Sequence, residues 1–199
     1  MREILQGIFV WSWLSPPHGY HFNGHLFRLP GLTFCVDPVT AEPSVLEAIC
    51  AARPERTVLT NRNHTRISGL LRERLGTRIA IHPKDAPHAR AQGVSIDEEL
   101  QPGMHIGPLT VVAVPGKSPG EIALYDPERR LLLVGDALIG DPPGQVRLLR
   151  PQVIDDLQEL QSSIRQLLHL DFDTLLCGDG EPILTGARAA VEKLVATFT

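Results

Sequence analysis

The chain has 199 residues, 43% hydrophobic and 21% charged, with 17 glycines and 17 prolines, a profile of an ordinary globular protein that excludes collagen, coiled coil and disorder. Its net charge of −4 leaves no electrostatic footprint for nucleic acid or an anionic membrane. Three cysteines without a C-x-x-C pair, no apolar run near the ~18 residues of a membrane span, and a start that breaks at Gly7 predict a cytoplasmic protein.

Residues 7–13, β-branched and aromatic, predict a strand that Pro16-Pro17-His18-Gly19 interrupts. Residues 25–29 and 32–36 predict a hairpin turning at Pro30-Gly31 and ending in Asp37-Pro38. A helix follows over 42–52 with Pro43 in its first turn, then a short apolar strand over 57–60. Ile67, Leu70, Leu71 and Leu75 recur at helical spacing, and Gly76 supplies the stop. A strand over 78–81 and a short helix over 83–91 close the first half.

The second half predicts strands over 109–114, 121–125 and 131–134. Val153, Leu157, Leu160, Ile164, Leu167 and Leu168 mark a long amphipathic helix, and 174–177 a buried strand. Ala187, Ala190, Val191, Leu194, Val195 and Phe198 mark a closing helix. Strands that open each half, with helices after them, predict two sheets face to face with helices outside, in a single domain over 1–199. Polar residues collect at the strand ends over 61–66, 116–120, 135–136 and 178–180, where sites gather in layered α/β folds.

Gly116-Lys117-Ser118-Pro119-Gly120 matches the G-x-S-x-G nucleophile elbow, but the residue after the serine must donate its N–H to an oxyanion. Pro119 has no N–H, and a strand rather than a helix is predicted next, so a serine hydrolase is rejected. No dinucleotide or P-loop glycine motif occurs. Eight histidines form no H-x-H or H-E-x-x-H pair, so spacing alone defines no metal site. Phe9, Trp11 and Trp13 read as core packing, with a cleft or a homodimer face as the other use of such a row. Arg66, Arg72, Arg74 and Arg78 read as a solvated helix face.

The order of the junctions resembles the metallo-β-lactamase superfamily, in particular its compact glyoxalase II-like hydrolases. Where that family has an apolar strand ending in T-H-x-H-x-D-H, this chain has Thr60-Asn61-Arg62-Asn63-His64-Thr65-Arg66. Pro115-Gly116-Lys117-Ser118-Pro119-Gly120 stands where the family has P-G-H-[ST]-P-G. Val134-Gly135-Asp136 matches its strand ending in G-D, Gly178-Asp179-Gly180 its G-H-G, and Asp37-Pro38 its early I-D turn. The resemblance covers roughly residues 5–198 and implies a four-layer αββα sandwich of the metallo-β-lactamase type.

The same correspondence puts Asn61, Asn63, Thr65, Arg66, Lys117 and Asp179 on the family's ligand positions, leaving Asp136 in place. Amides are poor zinc donors and a cation repels the metal, so the resemblance implies a degenerate metal site with no bound cofactor. Arg66 and Lys117 would offset Asp136 and Asp179, either as a buried plug or as a pocket for a small anionic molecule. The expected cluster is thus Asn61, Asn63, His64, Arg66, Lys117, Asp136 and Asp179, in a non-metal binding protein or pseudoenzyme. The alternative is a metal-dependent hydrolase in which the loop register slips, so that His64, Asp136 and Asp179 hold one zinc or other divalent metal.

Overall fold

The computed structural model describes residues 1–198, and Thr199, the last residue of the expected domain, lies outside them. The chain divides into two compact units, Met1–Leu100 and Gln101–Thr199. Each contains one sheet with helices among its connections.

The first unit is a sheet in which sequence order equals spatial order. Its strands are β1 (Arg2–Leu5), β2 (Ile8–Ser15), β3 (Tyr20–Leu29), β4 (Leu32–Val36), β5 (Arg56–Leu59), β6 (Arg78–Ile81) and β7 (Glu98–Glu99). The first four are antiparallel, and β4 to β7 run parallel, as crossovers through α1 (Pro43–Ala52), α2 (Ser68–Leu75) and α3 (Ala86–Ala91) require. Trp11 packs on Leu26, Cys35, Val39, Ile49 and Leu71. Its indole N–H donates to the Val39 carbonyl at 3.1 Å. Gly24 makes room for this ring, because a Cβ there would lie 2.4 Å from Trp11 Cζ2.

The second unit is a sheet ordered β12-β11-β10-β9-β8. These are β8 (His105–Ile106), β9 (Leu109–Ala113), β10 (Ile122–Asp126), β11 (Leu131–Val134) and β12 (Thr174–Cys177). Strands β11 and β12 pair in parallel and are buried throughout, which is why they read as unbroken apolar runs. Helices α4 (Leu157–Leu167) and α5 (Ala187–Val195) supply Leu160, Ile164, Leu167, Ala187 and Val191 to a core with Leu132, Val134, Leu175 and Cys177.

Three expectations shift. Strand β3 begins at Tyr20 rather than at His25, because Trp13 pairs with Phe22 and Ser12 with Asn23 across from β2. Val153 falls in a short 3₁₀ turn, Pro151–Val153, and α4 begins after Asp156, whose carboxylate accepts the Glu159 N–H at 2.9 Å. Trp11 is core and Phe9 packs against it, but Trp13 is 39% exposed. All three cysteines are free thiols, with Cys35 and Cys177 buried. No helix among the described residues is long and apolar enough to cross a membrane.

Candidate functional site

Strand β4 delivers Asp37 into a left-handed turn at φ 48°, a conformation that non-glycine residues occupy at a cost. Local hydrogen bonds hold it there. Its Oδ1 accepts the Thr60 N–H at 2.8 Å, and its Oδ2 accepts the Thr60 hydroxyl at 2.5 Å. His64 Nδ1 also lies 2.9 Å from Oδ2. Asp37 and His64 are both 1% exposed. Burial by itself would raise the Asp37 carboxyl, but the charge and hydrogen bond of His64, with both Thr60 donors, outweigh it and hold the group below the ordinary carboxylate range. His25, buried nearby in β3, moves the other way: desolvation lowers it to about 4 against the pull of Asp37, so it is neutral at pH 7.

The segment after β5 is pinned from both sides. Asn61 Oδ1 accepts the Asn63 N–H at 2.9 Å, an Asx turn that follows from an asparagine at a strand end. The Arg62 N–H donates to Asp85 Oδ2 at 2.9 Å, and the Arg62 carbonyl accepts from Gln92 Nε2 at 2.8 Å. Thr65 donates its hydroxyl to Gln92 Oε1 at 2.8 Å. The fully buried Asn61 amide comes within 3.4 Å of His64 Nε2, whereas Asn63 is exposed. Arg66 is strained at φ 31°, and its guanidinium carbon sits 4.8 Å from the centroid of the Phe22 ring. Phe22 in turn meets Trp13 at 5.9 Å and His18 at 5.2 Å. Arg66 Nη1 is buried with no hydrogen-bond partner, and Arg66 makes no ion pair among the described residues.

In the second unit, the loop after β9 turns at Gly116, where φ is 130° and a Cβ would lie 2.2 Å from Leu160 N. Only glycine fits so near the start of α4. The Gly116 carbonyl accepts the Asp156 N–H at 2.7 Å, and the Pro115 carbonyl accepts the Ser163 hydroxyl at 2.8 Å. This clamp carries Lys117 into the interior, 5% exposed, where Nζ lies 2.7 Å from Asp136 Oδ2. Asp136, just past β11, donates its backbone N–H to Glu121 Oε1 at 2.6 Å. Asp179, just past β12, is 3% exposed, and its carbonyl accepts the Gly140 N–H at 3.0 Å. Burial first and the Asp179 charge second push the Cys177 thiol up to about 12, which removes it as a nucleophile. Ser118 is fully buried and the chain enters β10 after it, so the nucleophile elbow lacks its helix as well as its amide.

Of the expected cluster, these contacts join Lys117 to Asp136 and Asn61 to His64. They place His64 on Asp37 and Arg66 on Phe22. Asp37, Thr60, Asp85, Gln92 and Glu121 support these groups and were not foreseen as such. For Glu121 a signal existed, since a carboxylate beside an apolar strand needs a donor. Among the described residues no three His, Cys, Asp or Glu side chains form a group that could hold a metal ion.

A family model described as the metallo-beta-lactamase superfamily matches residues 4–198. A hydroxyacylglutathione hydrolase of Cereibacter sphaeroides (strain ATCC 17025 / ATH 2.4.3) is 30% identical over 166 residues, 80% of this chain. The match spans 62% of that relative's length. Among solved structures, the metallo-beta-lactamase family protein TTHA1429 of Thermus thermophilus superposes with a TM-score of 0.75 at 22% identity, over 98% of this chain and 80% of that one. A metallo-beta-lactamase from Pontibacter korlensis gives 0.80 at 13% identity, over 99% and 98%. TTHA1623, solved in a di-iron-bound form, gives 0.70 at 27% identity, over 92% and 98%.

Proposed function

The chain belongs to the metallo-beta-lactamase superfamily, and from that premise we propose that it is a metal-independent member, a binding protein for a small anion rather than a metallohydrolase. One observation carries the reading: Lys117 places a buried ammonium 2.7 Å from Asp136, the single acidic ligand position that the chain retains. A fixed cation there repels a second cation, and the neutral amides of Asn61 and Asn63 are poor zinc donors. The residues present therefore do not fit the dinuclear centre that the family's ligand pattern implies. The Lys117–Asp136 pair answers its own charge and acts as a plug.

Arg66 supplies the ligand contact in this reading. Its buried Nη1 donor is unanswered, and its plane is held against Phe22, so a carboxylate or phosphoryl oxygen has a preorganised partner. A second reading, hydrolysis with one divalent metal held by His64, Asp136 and Asp179, draws on the hydrolase name of the 30% identical relative and on Asp37 gripping His64 through Nδ1, as carboxylates orient ligating histidines. Elemental analysis of untagged protein, followed by zinc and manganese titration of the melting temperature, separates the two. The proposal expects no bound metal and no gain in melting temperature. Near one metal per chain would sink it and favour the His64-centred hydrolase. Arg66→Ala is then expected to abolish anion binding while the melting temperature stays nearly unchanged.

A further inference from the structure

We propose that a second small-molecule site lies in the first unit, at the opposite end of β5 and β6 from the segment 60–67, and that it takes a compact phosphorylated anion. The cleft has a volume of about 530 Å³ and is lined by Arg53, Pro54, Glu55, Arg74, Leu75, Gly76 and Arg78. That volume falls within the ~300–1,000 Å³ of ordinary small-molecule sites. Arg78 is answered by Glu98, so Arg53 and Arg74 stand against one lining carboxylate, Glu55, and the imbalance favours an anion.

The arginines differ in what else they do. Arg78 Nη1 lies 2.9 Å from Glu98 Oε1, and Glu98 also takes Arg56 at 2.8 Å. Arg72, just outside the cleft, is paired with Asp97. Arg53 and Arg74 make no ion pair and no side-chain hydrogen bond among the described residues. The backbone N–H groups of Arg53, Glu55, Gly76 and Arg78 are all spent, on Cys50, Thr33, Arg72 and Glu55 carbonyls. Recognition therefore falls to the Arg53 and Arg74 guanidinium forks, and a phosphoryl group carries enough oxygens to meet both.

A purely local use of these cations would be to neutralise the carbonyl ends of α1 and α2, where Arg53 and Gly76 are the caps. Neither guanidinium hydrogen-bonds a carbonyl. Arg53 moreover holds the left-handed cap position at φ 51°, where glycine is the unstrained choice. Arg53 thus brings an exposed, unpaired guanidinium at a left-handed position to a cleft that Arg74 and Arg78 also line, and a bound anion is the use assigned to that arrangement.

The test is calorimetric titration of the full chain with pyrophosphate and with inorganic phosphate at constant ionic strength, alongside amide chemical-shift mapping. The expected result is saturable binding with shifts at residues 53–55 and 74–78. Arg53→Ala/Arg74→Ala should weaken it about tenfold or more, the scale of losing charge-assisted bidentate contacts. Arg66→Ala should leave the shifts at residues 53–55 and 74–78 in place, whatever it does to binding at residues 61–66. No saturable binding, binding equal in the double variant, or shifts and losses confined to Arg66 and residues 61–66 would each overturn the proposal. The last of these outcomes would leave the metal-independent reading standing.

Discussion

Replacing Lys117 with alanine removes one half of a buried ion pair and leaves Asp136, 6% exposed, without its cation. At a separation of 2.7 Å and an effective dielectric near 20, the Coulomb attraction is about 6 kcal/mol. Part of that offsets desolvation, and truncating one member of a buried pair costs about 3–5 kcal/mol, because the other is left uncompensated. This is a large share of the roughly 5–15 kcal/mol that holds such a chain folded. With a urea slope of about 2 kcal/mol/M, the midpoint should fall by about 1.5–2.5 M. The double variant Lys117→Met/Asp136→Leu removes both members of the pair and should recover most of the loss, as replacing a whole pair with apolar groups of similar volume does. Urea denaturation followed by far-ultraviolet circular dichroism reads both. A single-variant loss under about 1 kcal/mol, the size of a solvent-exposed pair, would refute the argument that this pair is a structural plug.

Acid should destabilise the chain in two stages. His25 is held at about 4 in the fold against about 6.5 unfolded, so the unfolded state binds the extra proton and stability falls as pH drops from about 6.5 towards 4, by on the order of 3 kcal/mol. Asp37, held below its unfolded value, adds stability that is present above about pH 3.9 and is lost as pH falls through its lowered folded value. Thermal melts of wild type and His25→Leu between pH 7 and 4 check the first stage, and a variant as acid-sensitive as wild type would count against it. Gly116→Ala sets a Cβ against the α4 backbone at positive φ and should cost about 3 kcal/mol or more, readable in the melting temperature. Cys177 should resist iodoacetamide at pH 8 in the folded chain, while the half-buried Cys50 is alkylated first, which peptide mass spectrometry can follow.

The elements most legible in the sequence were those with the least choice. Strands β6, β11 and β12 fall where short apolar runs put them, and Gly76 ends α2 in the left-handed conformation for which glycine is favoured. The two-residue strands β7 and β8 were invisible, since two residues carry no period and form only because a neighbour offers an edge. The start of β3 was misread because polar residues and a proline turn mask a pairing that the opposite strand enforces. The capping signal Asp156-x-x-Glu159 was present and sets the start of α4 at Leu157, four residues beyond Val153.

By itself, then, the sequence determined which residues stand at each strand end, and so the family. Spacing and turn chemistry act over a few neighbouring residues, and that range suffices to order elements and to place polar groups at their ends. Where those side chains go was decided only by the tertiary structure. The Gly116 turn against α4 carries Lys117 to Asp136, Asp37 at the end of a separate strand captures His64, and Arg66 lies on Phe22 from the β2–β3 hairpin. Each partner comes from a distant part of the chain, and the energy that selects it, pairing a charge out of water, exists only once the surrounding core has excluded solvent.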